Sequence, residues 1–400
     1  MGVRKRRAPE PLSRGRRAAA RVAVLALPAL AIVAPSALYA QVTSEQATAI
    51  DELVRTWVEE NDVIGLQVAI GMGDDVAWTG AYGMADLEHD RPVTDESLFR
   101  TASISKWMTA TAALRLVEIG QLDLDAPVQD YCRAYPEKRW PLTMRDLLRH
   151  RGGVRHYWGT NGEDPQTPAA RRELAHKQAE AQRWTTVRYD NTVAPIARFA
   201  DDPLLFEPGT DFQYTSFGYR LVGCVLRRAA GTTYNELMQT HVLDPAAMTL
   251  TRNDDTYAII PGRVRGYVRS PGGELRRSRF RDVSENLPAG GHLSSASDLV
   301  RFALAWNRGE LIGEASKTAQ IEVPAGAVQE SYYGFGVSVA TVDDLGGKRV
   351  LFHSGSQNET RTWLVLRPDA GIAISTLSND EDVPLMLEII WPILNLLESS

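Results

Sequence analysis

Strand-like segments stand at both ends of this chain, and helix-like segments fill its middle. Near the start, residues 66–72 and 76–82 read as two strands around the turn Gly73-Asp74-Asp75. Near the end, 333–340, 349–353, 362–367 and 372–377 read as four more, separated by Gly, Asp and Pro. Between them the pattern turns helical and loop-rich. Residues 101–120 read as a helix stopped by Gly120, and 219–230 as another. A polar helix over 168–182 has Thr167 as N-cap and Pro168 at its first position. An amphipathic helix over 44–60 carries Ile50, Leu53, Val54 and Val58 on one face, and an apolar one over 383–397 is suited to cover a sheet. The pattern predicts an α/β (α+β) protein. Its antiparallel sheet is built from about 41–106 and 331–400, with a mostly helical part inserted over about 107–330.

Length alone allows two or three structural units in 400 residues, or one large unit with an insertion. The net charge of −6 is unevenly spread. Residues 1–40 hold eight Lys/Arg against Glu10, leaving 36 basic and 49 acidic residues in the remainder. A basic start, an apolar run over 22–33 and the small-residue stretch ending at Ala40 have the order of a signal peptide. The expectation is a leader over 1–40, cleavage after Ala40 and a periplasmic or secreted protein. Arg16-Arg17 leaves Sec and twin-arginine export both open. An acidic body argues against nucleic-acid binding. The two cysteines, Cys132 and Cys224, fit a disulfide in an exported protein or two buried thiols. There is no CxxC, HExxH, GxGxxG, P-loop or GxSxG, so no metal or organic cofactor is expected.

Three short motifs carry chemistry. Ser103-Ile104-Ser105-Lys106 fits S-x-x-K. At a helix start this puts a hydroxyl and an amine on one face, one turn apart, beside outward-pointing N–H groups. A desolvated, neutral Lys106 can take the Ser103 proton. Tyr214-Thr215-Ser216 leads into the helix over 219–230, and a tyrosine there can share a proton with the lysine. His353-Ser354-Gly355-Ser356 closes one strand; its backbone N–H at Ser356, with that of Ser103, forms an oxyanion hole. His150 and His156 flank a glycine loop and read as loop-structuring residues, with His156 and Tyr157 near a site entrance. Each motif alone also reads as ordinary structure: a helix N-cap, a packed aromatic cluster, a polar turn.

In this order and spacing the motifs resemble those of the serine β-lactamase and penicillin-binding-protein superfamily. The likeness is strongest to class C-like serine hydrolases and to the branch of mitochondrial serine β-lactamase-like proteins and their bacterial relatives. Phe99-Arg100-Thr101-Ala102-Ser103, Leu147-Leu148-Arg149-His150-Arg151-Gly152-Gly153 and Ala289-Gly290-Gly291-His292-Leu293-Ser294 extend the likeness over about 45–395. The resemblance implies a β-lactamase/transpeptidase-like fold. It implies Ser103 as acylated nucleophile, Lys106 as its proton acceptor and Tyr214 as proton relay, with Ser216, His353, Ser354, Gly355 and Ser356 binding substrate. Two positions depart from the family pattern. Ser216 stands where many members have Asn, and His353 where a β-lactamase has Lys, so a permanent charge becomes a titratable one. Both point to an exported peptidase or esterase acting on a small-molecule, peptide or ester substrate, with no cofactor. The rivals are a true β-lactamase or D,D-carboxypeptidase, and a non-catalytic member that forms a homo-oligomer or filament.

Overall fold

The computed structural model describes residues 41–160 and 165–398, together with Gly2; the expected leader lies outside the described residues. Eight strands form one antiparallel sheet: β1 (Gly65–Met72), β2 (Asp75–Asp86), β3 (Arg91–Pro92), β4 (Ser331–Tyr333), β5 (Ser338–Val342), β6 (Lys348–Gln357), β7 (Thr360–Arg367) and β8 (Ile372–Ser378). Their order is β3-β2-β1-β8-β7-β6-β5-β4, so strands from the two ends of the chain meet at β1 and β8. Five longer helices matter here: α1 (Ser44–Glu60), α2 (Ser105–Glu118), α3 (Ser216–Ala230), α4 (Ala296–Asn307) and α5 (Leu387–Glu398).

The sheet is covered on both faces, and β1 is accordingly buried along nearly its whole length. Alternation sorts its side chains. Leu66, Val68 and Ile70 join Ile50, Val54 and Trp57 of α1 and Ile389, Ile390 and Ile393 of α5. Thr43 and Gln46 close a capping box at the start of α1. On the other face Ala69 packs with Val300 and Leu304 of α4. Gly71 lets α4 come close: a Cβ there would stand 2.4 Å from Val300 Cγ1. Helix α4 thus belongs to the sheet layer although it lies within the stretch read as a helical insert. The same stretch also holds short strands at Arg252–Asn253, Tyr267–Arg269, Leu275–Arg277 and His292–Ser294. Among the described residues no helix is long and apolar enough to cross a membrane.

The helical part is stapled by a disulfide between Cys132 and Cys224, whose Cα atoms are 5.6 Å apart across a sequence separation of 92. This resolves the alternative left open by the sequence. A closed loop of that length restricts the unfolded chain, and such cross-links contribute about 2–5 kcal/mol. Replacing both cysteines by alanine should lower the urea midpoint accordingly without moving the far-UV spectrum. An unchanged midpoint would show that the staple adds nothing.

Candidate active site

Ser103 sits in a 3-10 turn, Ala102–Ile104, that runs directly into α2. The turn opens on Ala102 at φ 45°, in the left-handed region that strains a residue with a Cβ. Neighbouring backbone clamps that strain. Thr101 N–H donates to the His292 carbonyl at 2.9 Å, and Thr362 Oγ1 donates to the Thr101 carbonyl at 3.1 Å. Ser103 is left half-buried on the wall of a cavity of ≈ 1050 Å³.

Lys106 follows one turn later and is fully buried. Its Nζ lies 3.0 Å from Ser103 Oγ, 3.2 Å from Ser216 Oγ and 2.9 Å from the Ala289 carbonyl. Burial first, and then the charge of Arg220, push its pKa well below the usual lysine range. Once neutral, Nζ can keep donating to the Ala289 carbonyl and to Ser216 Oγ, which frees its lone pair to accept from the Ser103 hydroxyl. The unfolded chain holds this proton more tightly than the folded one does. Wild-type stability should therefore rise with pH, up to the ordinary lysine pKa of 10.5, relative to a Lys106→Met variant. Urea titrations of both proteins between about pH 6 and pH 9 check this. A difference that does not change with pH would show that the amine stays charged on folding.

The Tyr214 ring lies 4.9 Å from Lys106 Nζ, and its hydroxyl is hydrogen-bonded to Ser103. Burial raises the phenol above its usual pKa, more than the bond to Ser103 lowers it. Tyr214 is thus a protonated hydroxyl at neutral pH, a relay rather than a phenolate. Its neighbours are held in place by the α3 start. Thr215 Oγ1 accepts the N–H groups of Phe217 and Gly218, both at 3.1 Å. The Thr215 and Ser216 N–H groups are taken by His150 Nδ1 at 3.1 Å and His156 Nδ1 at 3.2 Å. An accepting Nδ1 requires a neutral ring. Burial above all depresses both histidines, His156 to about 3. These two residues, placed by sequence only near the loop, hold the segment that carries Tyr214 and Ser216.

Strand β6 supplies the remaining wall. It does not close at His353 but continues to Gln357, paired with β7 throughout. Its pairing with β5 stops at Phe352, so from His353 onward that edge is open, and His353, Ser354, Ser356 and Gln357 line the cavity. Gly355 brings the strand against the nucleophile turn. A Cβ there would lie 2.1 Å from Thr362 Oγ1, 2.6 Å from the Thr101 carbonyl and 2.9 Å from Ala102 Cβ. His353 departs from the expected titratable charge. Burial, and then Lys106, lower its pKa to about 3. Its Nδ1–H donates to the Ser354 carbonyl at 2.6 Å, so Nε2 accepts from Tyr333 Oη at 2.9 Å. Both nitrogens are occupied by the protein.

Behind the cavity lies a cluster that no motif announces. Glu285 pairs with Arg198, with Arg220 at 2.9 Å and with Arg281 at 3.2 Å. Tyr157 Oη accepts from Arg220 at 3.2 Å and Arg281 at 2.9 Å. Burial pushes that phenol up, but Arg281 and Arg220 outweigh it and its pKa falls below the usual value. These side chains come from four separate stretches of chain, so only the fold brings them together.

Known proteins share this arrangement's framework. The Beta-lactamase family model matches residues 50–391. The mouse protein "Serine beta-lactamase-like protein LACTB, mitochondrial" is 28% identical over 329 residues, 68% of this chain and 59% of its own length. The chain thus spans about three fifths of that relative. "Esterase EstB" of Burkholderia gladioli is 27% identical over 369 residues, 83% of this chain and 90% of the esterase. The solved penicillin-binding protein from Bacillus halodurans superposes with a TM-score of 0.70 at 23% identity, covering 86% of this chain and 99% of its own. That last likeness bears on the fold alone. A family match running from α1 into α5 places the chain in the Beta-lactamase family, among relatives that are serine hydrolases of the β-lactamase fold.

Proposed function

We propose that the protein is an S-x-x-K serine hydrolase that cleaves ester or amide bonds through an acyl-enzyme. The observation that carries this reading is the buried Lys106 amine 3.0 Å from Ser103 Oγ, held neutral by its surroundings. Ser103 Oγ attacks the substrate carbonyl carbon while its proton passes to Lys106 Nζ. The carbonyl oxygen gains the charge and is stabilised by the N–H groups of Ser103 and Ser356. The tetrahedral adduct then collapses, the bond to the leaving group breaks, and the proton returns through Tyr214 to the departing oxygen or nitrogen. Water next attacks the acyl-Ser103 carbonyl and gives a proton to the same pair; the bond to Ser103 Oγ breaks, the pair returns that proton to Oγ, and the acid leaves.

An esterase or peptidase is favoured over a true β-lactamase or D,D-carboxypeptidase because His353 is neutral and engaged with Tyr333. Short p-nitrophenyl esters should therefore be turned over with a kcat/KM at least about tenfold above that for nitrocefin, the discrimination a missing charged contact gives. Comparable or faster nitrocefin turnover would favour the β-lactamase reading. We further propose that the protein is exported. The basic-then-apolar start supports this, as does a disulfide of the kind kept in oxidising compartments. N-terminal sequencing of protein recovered outside the cytoplasm tests it, with a start just after Ala40 as the expected result.

A further inference from the structure

The chain enters the nucleophile turn through a buried arginine. Arg100 stands three residues before Ser103, in the short strand Phe99–Arg100, which pairs with His292–Ser294. Every nitrogen of its guanidinium is engaged. Nε donates to Asp254 Oδ2 at 2.7 Å and lies 3.4 Å from Glu359 Oε2. Nη1 donates to the Asn358 carbonyl at 3.4 Å, and Nη2 to the Arg281 carbonyl at 2.9 Å. The main chain of the same residue adds a bond, since its carbonyl accepts from Thr360 Oγ1 at 2.9 Å. A buried ion pair such as Arg100–Asp254 gains little net stability once its desolvation is counted, so stability is a poor account of this residue.

These contacts converge on the turn that follows Ser356. Gln357 of β6 pairs with Thr360 of β7, which leaves Asn358 and Glu359 as a two-residue turn. Glu359 has φ 74°, and strain of that kind persists only where the surroundings hold it. Arg100 holds it from one side. From the other, Glu381 Oε1 accepts the Glu359 N–H at 2.9 Å, and a Cβ on Gly266 would stand 2.2 Å from Glu359 Cα. Ser356, Asn358 and Arg281 line the cavity together with Ser103. One side chain thus ties the root of the nucleophile turn to the far end of β6 and to the wall at Arg281. Gly355 lets β6 come close to the turn; Arg100 fixes where the end of that strand lies.

We propose that Arg100 is a positioning residue: by fastening the turn over 358–360 to the root of the nucleophile turn, it sets the spacing of the Ser103 and Ser356 N–H groups that a developing oxyanion needs. This rests on the hydrolase reading and extends it to a residue that touches no reacting atom. The test compares kcat/KM of the full protein for p-nitrophenyl acetate and for its thiono analogue, in which sulfur replaces the carbonyl oxygen. Sulfur is larger and a poorer acceptor, so two correctly spaced N–H groups discriminate against it. Wild type should favour the oxygen ester by about 100-fold or more. Loss of folded protein lowers both rates alike, so the ratio reads placement rather than stability. Arg100→Lys keeps a charge beside Asp254 but loses the fork that reaches two carbonyls at once, and its ratio should fall about tenfold or more. Thr360→Val removes the hydroxyl that binds the Arg100 carbonyl. Its ratio should fall by a smaller factor, and it decides the matter should Arg100→Lys fail to fold. A wild-type ratio near one overturns the proposal. So does an unchanged ratio in folded Arg100→Lys, or in Thr360→Val where that protein stands in for it. Absence of all ester turnover by wild type would instead sink the hydrolase reading, and this positioning role with it.

Discussion

Ser103→Ala should abolish covalent labelling by a fluorophosphonate and lower kcat/KM for a p-nitrophenyl ester by about 10⁴-fold or more. Removing the nucleophile from such a unit costs nearly all the catalysis that the unit provides, because its members act together. The residual rate would come from the N–H groups and the cavity alone. The substitution deletes one hydroxyl on a cavity wall, and the packing of Ile104, Trp107 and Met108 behind it is untouched. Loss of activity with an unchanged melting curve is therefore the expected pair of results. Intact-protein mass spectrometry reads the adduct, and a digest places it. An adduct of equal yield in the variant, or a wild type inert to every ester and amide tried, would remove Ser103 from the centre of the reaction.

Gly355→Ala should be the next most damaging change, without touching any reacting group. The new methyl meets backbone as well as side chain: the Thr101 carbonyl at 2.6 Å and Ala102 Cβ at 2.9 Å. Neither has room to retreat, since Thr101 is fixed by bonds to His292 and Thr362. Strand β6 must move away from the nucleophile turn, and the Ser356 N–H moves with it. A displacement of about 1 Å in such a donor costs on the order of 100-fold in rate. Overpacking at the same place should cost roughly 1–3 kcal/mol of stability. Ester kinetics and a urea titration measure the two effects separately. Wild-type kcat/KM in a folded Gly355→Ala protein would mean that the strand does not hold the oxyanion.

Much of this architecture was legible from pattern alone. Terminal strands, the Thr167 and Pro168 start of the Pro168–Trp184 helix, and the S-x-x-K at the head of α2 follow from local chemistry. What escaped depends on distant contacts. The stretch read as one strand over 333–340 is broken between Tyr333 and Ser338. Gly336 lies there at φ 73°, where a Cβ would stand 2.5 Å from the Lys106 carbonyl of α2. Ser354-Gly355-Ser356 has the composition of a turn, yet β7 holds it as strand. His353 reads as a titratable charge until Tyr333 and the surrounding burial are known. Arg281 and Glu285 pair four residues apart, but the residues that complete their cluster, Arg198, Arg220 and Tyr157, lie on other segments.

The pairing of β1 with β8 governs when the molecule can fold. Ser378 Oγ donates to the Gly65 carbonyl across 313 residues, and the register runs the length of both strands. A growing chain must therefore carry the bare edge of its first hairpin until the last strand has been made. Contacts of such sequence separation close slowly. Assembly of the sheet thus belongs to the finished polypeptide. A chain cut before Ile372 would leave β1 and β7 each with an unpaired edge, the form in which strands recruit other chains instead of their own.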